Sequence, residues 1–150
     1  MDLSNFDEVL NFAIEREEEA ADFYAKLSKN SKNPSMKEVF SEWSNIETGH
    51  KRILQNIHKT GVEERKIVAT PNLKISDYIV DVKVKPDMSY ADALIAAMKR
   101  EEKSHQLYSD LAAGIELPEL KKAFEVLAGE ELKHKLRLET EYDEYVLKEN

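Results

Sequence analysis

The chain of 150 residues contains no cysteine. That excludes disulfides, thiolate metal sites, iron–sulfur clusters and any four-cysteine iron centre. Glycine and proline number only four each, and the rest is rich in Glu, Lys, Leu and Ala, as in a soluble helical protein. No apolar run approaches the ~20 residues that a spanning helix needs, and no stretch reads as a signal peptide, so no membrane partner is expected. Basic residues are outnumbered, with 22 Lys and Arg against 30 Asp and Glu for a net charge of −8. No basic run interrupts that excess, which argues against nucleic acid as a partner. A cytoplasmic protein is the simplest expectation. The length suits one compact domain over 1–150 with a sizeable core.

What is present is helical periodicity. Apolar spacing and caps predict four helices, at about 5–29, 34–59, 89–113 and 118–148. Ser4 or Asn5 can cap the first; Asn33 can cap the second, with Pro34 at its first position and Gly61 near its end. Ser89 opens the third, which stops at Gly114, and Pro118 starts the fourth. Short links join helices one to two and three to four, which favours antiparallel hairpins. Residues 60–88, with Pro71 and Pro86, form a long crossover, and its Ile75, Tyr78, Ile79, Val82 and Val84 suggest packing over the bundle, with a short helix after Ser76. This is an all-α, ferritin-like connectivity: an antiparallel four-helix bundle of two hairpins with a crossover between helices 2 and 3.

The chain also repeats itself at an offset of 84 residues. Ala13-Ile-Glu-Arg-Glu-Glu18 with Tyr24 and Leu27 recurs as Ala97-Met-Lys-Arg-Glu-Glu102 with Tyr108 and Leu111. Phe40 and Glu47-Thr-Gly-His50 recur as Phe124 and Glu131-Leu-Lys-His134. Each copy supplies one lone Glu, seven residues before a Tyr, and one Glu-x-x-His. In all four helices the Glu or His lies within an apolar stripe, an unusual setting for a surface charge.

Glu-x-x-His places a carboxylate and an imidazole one turn apart on one helix face, so both can reach one centre. Two such pairs plus one Glu from each remaining helix can bind two ions, with some carboxylates bridging, as in di-iron and di-manganese bundles. The candidate metal ligands are therefore Glu17, Glu47, His50, Glu101, Glu131 and His134. Carboxylate oxygen with neutral imidazole suits two iron ions; manganese or zinc is also acceptable. Four ionised carboxylates in an apolar core would each cost several kcal/mol and repel one another, and two divalent cations would neutralise them.

The motif is weak alone. Roughly half of one Glu-x-x-His is expected by chance in such a composition, and three occur. The third, Glu102-Lys-Ser-His105, shares its face with Gln106 and Ser109, so Glu102 reads as solvated. Taken singly, Glu17 or Glu101 reads as a surface charge, and His50 or His134 as an ordinary histidine of an amphipathic face. Tyr24 and Tyr108 read first as core aromatics whose hydroxyls could also reach a ligand carboxylate. His105, one turn beyond Glu101, is a possible extra ligand. His58 reads as a surface residue. Gly49 and Gly129 lie inside helices beside the ligands, where close helix approach is expected.

These elements, with Phe23-Tyr24 and Leu107-Tyr108, resemble the di-iron domain of rubrerythrins in the ferritin-like superfamily, over essentially the whole chain. The resemblance implies that the same six residues are the ligands, with Glu47 and Glu131 as bridges. It implies a di-iron centre that reduces hydrogen peroxide with electrons from an attached rubredoxin domain. Without Cys, that module is missing here, so a separate donor such as a rubredoxin or flavoprotein is expected. Rubrerythrins also carry an exchangeable Glu one turn after the lone Glu of the third helix. Ser104 stands at that position here, with His105 beside it.

Three functions compete. The first is an oxidoreductase, a non-haem di-iron peroxidase acting on peroxide or dioxygen, with a role in oxidative stress. The second is ferroxidase or iron storage, which needs no electron donor and favours a large shell of subunits. The third is a non-catalytic metal-binding bundle. Ferritin-like bundles commonly pair, so a homodimer is expected by analogy.

Overall fold

The computed structural model describes residues 6–60, 73, 75–80 and 88–149. The cap at Ser4 or Asn5, Gly61, Pro71, Pro86, Val82 and Val84 lie outside the described residues, as do the side chains of His58 and Ile75. Among the described residues there are four helices, α1 (Phe6–Asn30), α2 (Pro34–Thr60), α3 (Tyr90–Ala113) and α4 (Pro118–Glu149), with one 3-10 turn at Ile75–Tyr78. Local chemistry explains the helix starts. The Asn33 side chain accepts from Ser35 N at 3.0 Å and Met36 N at 3.4 Å, and Ser89 Oγ accepts from Asp92 N at 3.1 Å. Each satisfies amides that an unprotected helix start would leave bare. Pro34 and Pro118 occupy first helical positions, where no amide hydrogen is needed.

α1 packs along α2, and α3 along α4, giving the expected bundle of two hairpins. The apolar core is divided. One cluster contains Leu10, Leu54, Tyr108, Leu111 and Phe124. The other contains Tyr24, Leu27, Phe40, Leu94 and Leu138. Each of these five residues of the first cluster has its 84-residue mate among the five named in the second. The repeat is thus expressed as an approximate two-fold relation, and the buried carboxylates lie between the two apolar ends. Matching ring stacks flank them: Tyr24 on Phe40 at 6.0 Å and Tyr108 on Phe124 at 6.1 Å.

The described part of the crossover docks through Leu73 and Tyr78, both buried. The Tyr78 hydroxyl donates to Asp110 Oδ2 at 2.6 Å, latching the crossover to α3. Ile79, which the apolar pattern also assigns to that packing, is 49 % exposed instead. A single turn of 3-10 helix turns only part of its surface inward. No helix among the described residues is long and apolar enough to cross a membrane.

The glycines correct a second expectation. A Cβ built at Gly49 or Gly129 meets nothing within 4 Å, so neither position is a close helix contact. Each then carries only the backbone-entropy cost of glycine inside a helix, about 1 kcal/mol relative to alanine. Gly49→Ala and Gly129→Ala are each expected to raise the melting temperature by about 2–4 °C, measured calorimetrically. A drop at either position would restore the packing role.

Candidate metal centre

Four helices deliver one layer of buried polar side chains. Glu17 comes from α1, Glu47 and His50 from α2, Glu101 from α3, and Glu131 and His134 from α4; all six are buried. Their ligand atoms form two overlapping groups, each with its atoms within 4.8 Å of one another. One group is Glu17, Glu47, His50 and Glu131; the other is Glu47, Glu101, Glu131 and His134. Glu47 and Glu131 belong to both.

The imidazoles cross over between the motifs. His50 Nδ1 lies 2.9 Å from Glu131 Oε1, against 3.8 Å from Glu47 in its own motif. His134 Nδ1 lies 3.0 Å from Glu47 Oε1 and 3.5 Å from Glu101 Oε1. The tyrosines cross in the same way. Tyr24 of α1 donates to Glu101 Oε1 at 2.5 Å, and Tyr108 of α3 donates to Glu17 Oε1 at 2.5 Å. Each lone Glu is therefore oriented by the tyrosine of the other repeat.

Several ligand-type atoms have no hydrogen-bond partner among the described residues although they are buried: Glu17 Oε2, Glu47 Oε1, Glu101 Oε2 and His134 Nδ1. His134 Nδ1 and Glu47 Oε1 are near each other yet off-line for a hydrogen bond. Buried polar atoms are seldom left so, because each orphan costs about 1–3 kcal/mol. Atoms that converge on common points and not on one another suit cations. Four carboxylates and two imidazoles are hard-to-borderline donors of the kind that hold iron, manganese or zinc.

Electrostatics agree. Burial, with repulsion from Glu17 and Glu101, holds the Glu47 carboxyl well above the ordinary carboxylate range. Burial, with repulsion from Glu101, Glu47 and Glu17, does the same to Glu131. Burial pushes Glu17 upward too, but hydrogen bonds from Glu47, His50 and Tyr108 outweigh it and lower its pKa. Burial, followed by the charge of Glu101 for Tyr24 and of Glu17 for Tyr108, raises both hydroxyls well above 10.0, so both stay neutral donors. Without cations, protons on the two shared carboxylates do part of the neutralising.

His105 is not brought into either group. Its Nδ1 donates to the Ala128 carbonyl at 2.8 Å, which turns the ring toward the α4 backbone and away from the cluster. Glu102 is exposed and pairs with Lys135 Nζ at 2.7 Å, as its polar face suggests.

Glu130 was not legible from the motif. Its carboxylate makes a short contact with His50 Nε2, the nitrogen facing away from the cluster. Burial lowers the His50 pKa, but Glu17 and Glu130 outweigh it and raise the net value. The repeat mate of Glu130 is Ile46, so the second half lacks this partner; there His134 stacks on Trp43 at 4.3 Å. A carboxylate behind a ligand histidine fixes its tautomer and raises its basicity. Glu130→Ala is therefore expected to weaken one of two metal-binding steps about 10–100-fold, measured by calorimetric titration. The step reported by emission of Trp43, the chain's one tryptophan, should be unchanged. Equal weakening of both steps would refute this asymmetry.

Fold and site together define a ferritin-like four-helix bundle with a carboxylate and histidine cluster that could bind metal. The chain belongs to the rubrerythrin family, whose profile matches residues 8–89 and 92–150. A solved structure from Thermotoga maritima, described as a ferritin-like diiron-carboxylate protein, is similar in fold. It has a TM-score of 0.82 and 23 % identity, over 97 % of each chain. A hypothetical protein from Pyrococcus furiosus aligns with a TM-score of 0.71 and 26 % identity, over 91 % of this chain and 87 % of that one. No curated protein matches the chain significantly in sequence.

Proposed function

We propose that the chain is a di-iron carboxylate oxidoreductase that reduces hydrogen peroxide or dioxygen with electrons from a separate donor protein. The observation that carries this reading is the pair of overlapping buried groups with Glu47 and Glu131 in common. Glu17 and His50 would complete one metal position, and Glu101 and His134 the other. Iron bound there would supply one-electron reducing equivalents and Lewis acidity toward an O–O bond.

The protein's own groups do the rest. Glu47 and Glu131 would hold the cations in common and would give up their protons on binding them. Tyr24 and Tyr108 keep their hydroxyl protons and hold Glu101 and Glu17 in place from opposite helices. The apolar clusters at either end of the polar layer pack it from those two sides and hold its geometry.

The test mixes anaerobically prepared ferrous protein with hydrogen peroxide or with dioxygen and follows the absorbance of the oxidised centre. Oxidation by either, with turnover only when a donor such as rubredoxin is added, is the expected result. Faster reaction with peroxide would assign the peroxidase activity. Iron oxidation that continues without a donor and releases ferric iron would replace this reading with iron handling. No oxidation by either would leave a metal-binding bundle.

A further inference from the structure

A cavity of about 440 Å³ lies between α1 and α3, roofed by Tyr78 and Val80 of the crossover. Its floor is formed by Tyr24, Glu101 and Glu131 of the buried cluster. Peroxide or dioxygen would need the space of only one or two waters, at ~30 Å³ each. The observed volume is instead that of a site for a small organic molecule. Two repeat mates help to open it: Ala20 and Ser104 both line the cavity, and both are small.

The wall is apolar through Phe12, Phe23 and Leu107, but the outer part is cationic. Among the described residues, Arg16, Arg100 and Lys103 stand there against one carboxylate, Glu19. Both guanidiniums lean on that carboxylate, Arg16 Nη2 at 3.0 Å and Arg100 Nη1 at 3.6 Å. Glu15 adds only a 3.9 Å approach from an exposed position. Arg16 lies over the Phe12 ring and Arg100 over the Phe23 ring, so both are held in place. Their Nε atoms are buried and have no hydrogen-bond partner among the described residues. A cationic mouth with unused donors is unexpected on a chain of net charge −8, unless it receives an anion.

We infer that this cavity binds a small organic anion, its carboxylate head on Arg16 and Arg100 and its apolar body along Phe12, Phe23 and Leu107. The far end of such a ligand would rest above Tyr24 and Glu101. Paired guanidiniums suit the head because each offers planar, directed donors. The binding draws on no metal chemistry, so it stands or falls separately from the proposed reaction.

The test is calorimetric titration of the full chain with octanoate, both as purified and after manganese loading. Octanol serves as the neutral control. Saturable binding of one octanoate per chain is expected, with octanol at least about tenfold weaker. The double variant Arg16→Gln, Arg100→Gln should lose at least about tenfold in octanoate affinity while keeping its metal content. Ala20→Trp, which fills the hollow, should abolish binding. Absence of saturable octanoate binding would overturn the inference. So would equal affinity for octanol, or octanoate affinity unchanged in the arginine double variant. Since the arginines are partly exposed, their variants stay informative even if Ala20→Trp does not fold. Octanoate binding without metal uptake would remove the proposed reaction and leave this site standing.

Discussion

Glu47→Ala and Glu131→Ala are each expected to abolish binding at both metal positions, whereas Glu17→Ala and Glu101→Ala should each remove only one. The difference follows from membership: Glu47 and Glu131 belong to both groups, while Glu17 and Glu101 belong to one apiece. Losing even the partner behind a ligand costs about 10–100-fold in affinity, so losing a shared ligand should cost more than about 100-fold at each position. Elemental analysis after loading should give two metals per chain for the parent, one for Glu17→Ala, and fewer than one for Glu47→Ala. A circular dichroism spectrum of each metal-free variant separates lost binding from lost folding, since Glu47 is buried and its truncation leaves a cavity. Two metals retained by Glu47→Ala would sink the bridged arrangement, and equal losses in all four variants would sink the division into two groups.

The metal-free protein is expected to lose stability as pH rises, while the metal-loaded protein is not. Glu47 and Glu131 have folded pKa values well above the ordinary 4.5, chiefly through burial and then repulsion from neighbouring carboxylates, Glu17 and Glu101 among them. A raised folded pKa contributes stability that is complete below the unfolded value and lost as pH climbs through the folded value. His50, raised from 6.5, acts in the same direction. Glu17 is lowered and acts oppositely, with a contribution lost only on the acid side. From the unfolded histidine value of 6.5 upward, the first three groups therefore act together as far as their raised folded values extend. Each pKa unit is worth about 1.4 kcal/mol, so the metal-free melting temperature should fall by several degrees across that range. Bound cations take the place of the protons and remove this dependence, and loading should release protons measurable in weak buffer. A metal-free melting temperature that rises with pH would contradict the assigned charge states.

The six clustered residues were legible because their signals are local. Glu47 and His50 lie one helical turn apart, and an apolar stripe surrounds each carboxylate, so helix geometry alone turns them inward. The 84-residue repeat then separates Glu47 and Glu131 from Glu102, whose polar neighbours and Lys135 partner keep it in solvent. Helix starts at Asn33, Pro34, Ser89 and Pro118 are equally local, being hydrogen bonds or backbone constraints within four residues.

What remained hidden depends on contacts between distant segments. The tyrosines read as possible donors to a ligand, but only helix placement decides that Tyr24 reaches Glu101 and Tyr108 reaches Glu17. Spacing also left His105 open as a ligand, whereas the structure commits its Nδ1 to Ala128. Glu130 sits beside a motif residue, yet its partner is 80 positions away on α2.

By itself, then, the sequence determined that the protein is a helical bundle with paired carboxylate and histidine elements on inward faces, because periodicity and one-turn spacing act within single helices. The tertiary structure alone decided which imidazole approaches which carboxylate, which tyrosine reaches which lone Glu, and that Ala20 and Ser104 open a cavity. The reason is physical: these outcomes depend on how faces from different helices meet, and no local pattern encodes that meeting.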